Sequence, residues 1–224
     1  MKVIELHKSV TASNDADAQA LREMLSKEGR LLVNIMSAAG SGKTTLLSRI
    51  ITDLQGQVGI AVIEADIDAS VDAERIEALG ARSIQAHTDG MCHMDAGMTA
   101  QSIAEMGQDD TNLLFLENVG NLICPAEYDT GAHLNVMLLS VPEGDDKPLK
   151  YPLMFRNSDA LVITKTDALP YFDFDMDKCM ERARALNPAI RIFPVSAKSG
   201  RGMQALETWI LQKMNRASDY WFIV

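Results

Sequence analysis

Cysteine is scarce in this 224-residue chain, which has only Cys92, Cys124 and Cys179. So sparse and odd a set argues against a disulfide framework and leaves thiol or metal chemistry as the question it raises. Long apolar runs are also missing. The opening stretch "MKVIELHKSV" has no apolar h-region, and no segment approaches the length of a membrane span, so the chain reads as cytoplasmic. Positive charge is in deficit: 21 basic residues face 31 acidic ones, a formal net charge of −10. That balance argues against broad attraction to nucleic acid or anionic membrane, though a local basic patch stays open. No repeat or low-complexity linker interrupts the chain, whose length suits one domain with a sizeable core.

What is present is an alternation. Residues 1–14 are polar and read as a flexible N-terminal segment; "DADAQALREMLSKEG" then places Ala18, Leu21, Met24 and Leu25 at helical spacing before Gly29. Short apolar runs follow, "RLLVNIM", "GIAVIEA", "RSIQAH", "NLLFLE", "NVMLLSV", "ALVITK" and "RIFPVS", mostly separated by helix-like stretches such as "KTTLLSRIITDL", "SVDAERIEALG" and "DKCMERARALN". Non-alternating strands between helices predict an α/β fold, a mostly parallel, about seven-stranded sheet covered by helices on both faces. Ligands of such folds gather at the carboxyl ends of the strands. "PEGDDKPLKYP" (142–152) reads as the most loop-like interior segment. The expected domain spans 15–217, with "SDYWFIV" (218–224) as an aromatic, apolar tail.

"SAAGSGKTT" (37–45) follows the first strand and opens a helix, the context of a P-loop. Gly40 and Gly42 supply unusual torsions, and Ser41, Thr45 and their neighbours turn N–H groups toward phosphate. Lys43 reaches the β and γ phosphates, and Thr44 can ligate Mg²⁺. Ser37 stands where the strict pattern has glycine. A plain Gly-Ser turn capping a helix is the bland alternative, which Lys43 and Thr44 at the right offset disfavour.

"LVITKTD" resembles the guanine-reading Asn-Lys-x-Asp element of GTPases. Asp167 offers acceptors for guanine N1–H and N2–H₂, Lys165 a long stem to pack along the base, and Thr164 replaces the usual asparagine. "PVSAKSG" adds Ser196, Ala197 and Lys198, the match to a loop that supports the base through its backbone. Two acidic strand ends lie upstream. Asp66 and Asp68 in "VIEADIDAS" are candidates for the Mg²⁺ water shell, with helix capping as the alternative for Asp68 or Asp72. Glu117 in "FLENVG" occupies the acid position of a γ-phosphate switch, and Gly120 could donate its N–H to that phosphate. With no glutamine beside Gly120 and no evident arginine finger, slow turnover is expected, Lys43, Asp66 and Glu117 carrying it.

"DGMCHMDAG" puts Cys92 beside His93, and Cys124 follows in "NLICP". Thiolate and imidazole suit Zn²⁺ and Ni²⁺, whereas Mg²⁺ prefers oxygen. Each residue taken singly fits a core or polar role. Three ligand-grade groups are too few for a closed tetrahedral site, but a two-fold dimer would bring two sets together. Cys179 sits at helical spacing with Met176 and Ala183 and reads as packing.

The residues now look like a known family, the hydrogenase nickel-incorporation GTPases of the HypB type, in the P-loop class that includes signal-recognition GTPases and MinD-like ATPases. The likeness runs from roughly Leu31 to Lys213, through "GSGKTTLL", "DAERI", "CHMDA", "LENVGNLICP", "EGDDKPLKYP" and "SAKSGRGM". "ENVGNLICP" together with "EGDDKPLKYP" is far more specific than any P-loop. The resemblance implies a GTP/GDP-dependent homodimer that carries Zn²⁺ or Ni²⁺ at its interface through Cys92, His93 and Cys124. It implies delivery of nickel to an apo-metalloenzyme such as a hydrogenase large subunit, with a nickel-binding accessory protein as a further partner. Departures are Ser37, Thr164 and the lack of an amino-terminal cysteine motif or histidine-rich tract, so storage of several nickel ions is not expected. Other readings stay open: a urease-type nickel GTPase, whose motif is usually Cys-Pro-His; an ATP-dependent small-molecule kinase, which needs no guanine element; and a non-catalytic metal-binding module, which leaves Lys43 dispensable.

Overall fold

The computed structural model describes residues 6–66, 76–88, 90–107 and 110–219. Seven strands form one sheet: β1 (Leu31–Ser37), β2 (Ile60–Asp66), β3 (Arg82–His87), β4 (Leu113–Glu117), β5 (Leu134–Ser140), β6 (Ala160–Thr164) and β7 (Arg191–Pro194). Their order is β3-β2-β4-β1-β5-β6-β7, and every pairing is parallel. All seven runs expected as strands are strands. β1 is buried at every position because it lies in the middle of a sheet covered on both sides.

Successive side chains serve opposite faces. Val33, Ile35, Val62 and Phe115 pack with Leu46, Leu47, Ile50 and Ile51 of α2 (Lys43–Asp53) and with Leu206, Trp209 and Ile210 of α7 (Met203–Asp219). Leu32, Ile63, Leu114 and Leu116 pack instead on Leu21 and Leu25 of α1 (Leu6–Lys27) and on Ile103 and Met106 of α3 (Ala96–Met106). The other half of that face holds Met154 and Phe155 of α5 (Pro152–Arg156) with Cys179 and Ala183 of α6 (Met176–Leu186). Parallel strands bring their carboxyl ends to one edge, and the order reverses at β1, so the loop after β1 faces the ends of β2, β4 and β6.

Two expectations about loops change. The first helix begins at Leu6, so residues 6–14 are helical in place of the irregular segment expected there. Asn14 has tertiary partners: its Nδ2 donates to the Asp129 carbonyl at 2.9 Å, and its Oδ1 accepts from Ala96 N at 3.0 Å. The "PEGDDKPLKYP" stretch holds a 3₁₀ turn (Val141–Glu143), α4 (Lys147–Lys150) and the start of α5. Glu143 Oε2 closes that turn, accepting from Ser140 N at 2.8 Å and Ser140 Oγ at 2.7 Å. Most of "SVDAERIEALG" and residues 220–224 of the tail lie outside the described residues.

The contact of α2 with α7 holds an acid in an unusual state. Glu207 is 8% exposed, and burial, then the charge and hydrogen bond of Asp53, push its carboxyl up to about 7. The folded chain therefore keeps a proton that the unfolded chain releases near 4.5, so this group lowers stability progressively from pH 4.5 to about 7 and fully above that. Glu207→Gln is expected to remove this slope and to be more stable than the parent at pH 8 by on the order of 1–3 kcal/mol. Urea melts at pH 5 and pH 8 measure it, and parallel losses in both proteins would refute it.

Candidate nucleotide and metal site

The loop after β1 turns through Gly40 (φ +75°) and Gly42 (φ +98°), the latter capping α2. A side chain at either would be strained, which is why glycine stands there. Ser37 needs no such torsion. It ends a strand, donates to the Ala38 carbonyl at 2.8 Å and accepts from the Ser41 hydroxyl, so serine fits where the strict pattern has glycine. Lys43 Nζ lies 3.3 Å from Ser37 Oγ, and Thr44 Oγ1 donates to Glu117 Oε1 at 3.0 Å. A cleft of about 440 Å³ opens here, lined by Gly40, Gly42, Lys43, Thr44, Thr45, Glu64, Glu117, Asn118, Gly120 and Lys165 among others. Gly120 is present because the backbone approaches so closely: a Cβ there would stand 3.1 Å from Ala39 Cα.

Acidic groups converge on Thr44. Glu64 and Glu117 are paired in register across β2 and β4, and they are 5% and 7% exposed. The oxygen-rich set of Thr44 and these two carboxylates fits a hard divalent cation such as Mg²⁺. Asp66 ends β2 two positions beyond Glu64, and its side chain lies outside what the structure describes. Asp68 and Asp72 lie outside the described residues.

At the neighbouring strand end, Thr164 Oγ1 donates to the Ser41 carbonyl at 2.7 Å, tying β6 to the phosphate loop. A hydroxyl suffices for this bridge, so the replacement of asparagine leaves the loop held. Lys165 has φ +58° and is alone among described non-glycine residues in a positive φ; its Nζ donates to the Gly40 carbonyl at 2.7 Å and its stem crosses Gly42. Asp167 accepts from Ser196 Oγ at 2.7 Å, and that bond is the main cause holding its carboxyl below the usual range, ionised and able to accept. Ala197 and Lys198 follow Ser196 on the same loop, which folds back as Ser196 N donates to the Arg201 carbonyl at 2.9 Å.

The third cluster forms beyond β4. Ligand atoms of Cys92, His93 and Cys124 lie within 4.8 Å of one another. The sulfurs of Cys92 and Cys124 are joined as a disulfide, with Cα atoms 6.1 Å apart. The odd, sparse count argued against a framework of bridges, and folding nevertheless brings two of the three sulfurs together. Reduction turns the same pair into two thiolates beside one imidazole, a donor set suited to Ni²⁺ or Zn²⁺ with a coordination position left over. The His93 ring stacks on Tyr128 with centroids 3.8 Å apart, and burial leads the causes lowering its pKa, which favours the neutral, ligating ring. Cys179 is fully buried, its thiol pushed up to about 12 by burial, and belongs to the core as expected.

A family model described as CobW/HypB/UreG, nucleotide-binding domain, matches residues 31–194. The chain belongs to the CobW/HypB/UreG family. It is 43% identical to the hydrogenase maturation factor HypB of Rhizobium leguminosarum bv. viciae over 93% of this chain and 70% of that protein. Among solved structures it resembles Helicobacter pylori HypB in complex with nickel, at a TM-score of 0.87 and 36% identity, covering 91% of this chain and 96% of the other. Archaeoglobus fulgidus HypB is similar at a TM-score of 0.85 and 35% identity, covering 91% and 99%.

In this CobW/HypB/UreG chain, sequence reasoning missed the residues that join the clusters. Asn118 lines the nucleotide cleft, and its Oδ1 accepts from Met94 N at 3.2 Å, the residue after His93. Asn121 Nδ2 donates to the Cys92 carbonyl, while its Oδ1 accepts from Ile123 N at 3.1 Å and Cys124 N at 2.9 Å. Side-chain amides run Asn118–Asn34–Asn135, from the segment after β4 through β1 to β5, at 3.1 and 3.0 Å. The available signal was Asn34 inside an apolar strand, a polar group that burial forces into a bond. Glu64 had the signal of its register with Glu117, which only strand pairing reveals.

Proposed function

We propose that this CobW/HypB/UreG-family protein is a GTP-hydrolysing nickel metallochaperone, serving the maturation of a nickel enzyme such as [NiFe]-hydrogenase. One observation carries the reading: the segment after β4 belongs to both clusters, with Asn118 in the nucleotide cleft and Asn121 bonded to both cysteine segments. Support comes from the solved Helicobacter pylori relative, a complex with nickel, and from curated relatives that are hydrogenase maturation factors.

Lys43 and the loop N–H groups hold the triphosphate, and Asp167 and the 196–198 loop read guanine. Thr44, Glu117 and Glu64, with Asp66 at the same strand end, would hold Mg²⁺ and its waters. That ion neutralises charge on the β and γ phosphates when bound. Loss of the γ-phosphate removes a partner of Lys43 and Gly120, so the strand end at Glu117 to Gly120 moves. Asn118 and Asn121 pass that movement to Cys92, His93 and Cys124, whose mutual geometry sets nickel affinity. The open coordination position suits a second copy of the chain, so a homodimer favoured by GTP and metal is part of the proposal. Zn²⁺ is an alternative occupant, and the client apo-enzyme and a nickel-binding accessory protein are the expected partners. Neither nucleic acid nor membrane is required, and no helix among the described residues is long and apolar enough to cross a membrane.

Nickel affinity of the reduced protein, measured with GDP and with a non-hydrolysable GTP analogue, tests this. The two values are expected to differ by about fivefold or more, the lower range of known couplings. Sedimentation of the same samples is expected to show more dimer with the analogue. Asn121→Ala should bring the two affinities together while GTP turnover continues. Equal affinities in the parent, with a monomer throughout, would refute the coupled mechanism.

A further inference from the structure

Behind the base-reading loop, two helices converge on one guanidinium. Arg49 on α2 bonds Asp53 Oδ2 through Nε at 2.6 Å, and its Nη1 donates to the Ala197 carbonyl at 3.3 Å. Gly200 closes over the same group: its φ is +81°, and a Cβ there would stand 2.7 Å from Arg49 Nη2. Glu207 reaches Asp53 from α7, so the carboxylate that holds Arg49 is itself held from the opposite helix. The loop is tight around this point, with Gly200 N donating to the Ser196 carbonyl at 2.8 Å.

The arrangement has a directional consequence. In a trans peptide, the N–H of the next residue lies antiparallel to the carbonyl. No cis peptide occurs among the described residues, so pinning the Ala197 carbonyl toward α2 turns the Lys198 N–H the other way. A backbone N–H donates to the oxygen acceptor at the 6-position of guanine and opposes adenine, which carries an amino donor there. Asp167, 2.7 Å from Ser196 Oγ, covers the other edge of a guanine.

We propose that Arg49, braced by Asp53 and Glu207, is a positioning residue for base selection: it pins the Ala197 carbonyl from behind and thereby orients the N–H groups of the 196–198 loop toward a 6-oxo purine. This rests on the guanine reading of that loop. The raised carboxyl of Glu207 fits the arrangement, since a protonated acid can donate to Asp53 and leave the guanidinium to Asp53 and Ala197.

Arg49→Lys keeps a cation beside Asp53, but a single ammonium has no planar fork with which to serve Asp53 and the Ala197 carbonyl together. Binding of GDP, IDP and ADP to the full chain, by competition against a fluorescent GDP, supplies the test. The parent is expected to prefer GDP and IDP over ADP. Arg49→Lys should weaken GDP and IDP by the same factor, about tenfold, as one charge-assisted hydrogen bond allows, with ADP unchanged. Asp167→Asn should instead penalise GDP more than IDP, because inosine lacks the N2 amino group. A parent without preference for GDP over ADP defeats the guanine reading itself. A parent with that preference, kept in full by Arg49→Lys, overturns the Arg49 proposal alone. An equal loss of all three nucleotides would make the role merely structural and would also overturn it. Should Arg49→Lys fail to fold, as its melting temperature would reveal, Asp53→Asn releases the guanidinium from its anchor and should reproduce the pattern at smaller amplitude; unchanged selectivity there overturns the proposal.

Discussion

Lys43→Ala is expected to reduce GTP hydrolysis by about 10²- to 10³-fold, the usual effect of removing one preorganised charge from a transition state. Lys43 opens α2 with its ammonium 3.3 Å from Ser37 Oγ, at the floor of the loop where a phosphate would sit. The opposite side of the cleft is acidic, with Glu64 and Glu117 buried beside Thr44. Without Lys43, a triphosphate would meet those carboxylates with only Mg²⁺ between them, so the loss falls on turnover as well as on binding. Lys165 lines the same cleft but bonds the Gly40 carbonyl at 2.7 Å, so Lys165→Ala should act mainly on nucleotide affinity. Phosphate release over a range of Mg-GTP concentrations up to saturation measures both variants. Unchanged turnover in Lys43→Ala would remove the phosphate role of the loop and revive the reading of a non-catalytic module.

The second large effect concerns nickel. Cys124→Ala is expected to weaken Ni²⁺ binding by at least about 100-fold, since loss of even a supporting group at a metal site costs 10- to 100-fold and here one of three donors disappears. Cys179→Ala should leave nickel binding alone, because that thiol is fully buried in the core and protonated, its pKa pushed up to about 12 by burial. The oxidation state matters in the same assay. With Cys92 and Cys124 joined, neither can offer a thiolate, so the parent should take up nickel only after treatment with a phosphine reductant. Equilibrium dialysis of the three proteins, reduced and oxidised, decides this. If Cys124→Ala and Cys179→Ala behave alike, the metal site lies elsewhere.

How much of this was legible differs from residue to residue, for physical reasons. The strands showed themselves as apolar runs because a parallel sheet is buried on both faces and tolerates little alternation. The phosphate loop showed itself because its torsions at Gly40 and Gly42 admit little but glycine, and such constraints are local. Thr164 looked like a defect of the guanine element, yet its hydroxyl bridges to the Ser41 carbonyl, a contact between residues 123 positions apart that no local pattern carries. Asp66 and Asp68 drew attention as acids after a strand, whereas Glu64 was taken as part of the strand. Its register opposite Glu117 makes it an equal member of the cluster. Arg49 drew no attention in the sequence, because its bond to the Ala197 carbonyl crosses 148 positions. The first helix was read as starting late, since the polar Asn14 reads as loop until its bond to the Asp129 carbonyl is seen.

The sequence by itself determined the class of fold and the glycine torsions of the loop after β1, and it named the candidates for reading guanine and for holding a metal. The torsions and the chemistry of each candidate side chain are set within a few neighbouring positions, although Cys92 and Cys124 lie 32 positions apart. Only the tertiary structure decided which of these parts touch. It placed Cys92 against Cys124, Glu64 beside Glu117, and bonded Asn118 and Asn121 to the segment that carries Cys92 and His93. Those are pairings across strands and loops. A buried amide or carboxylate is compelled to find a partner, but which partner it finds is set by strand order and register rather than by anything adjacent to it in the chain.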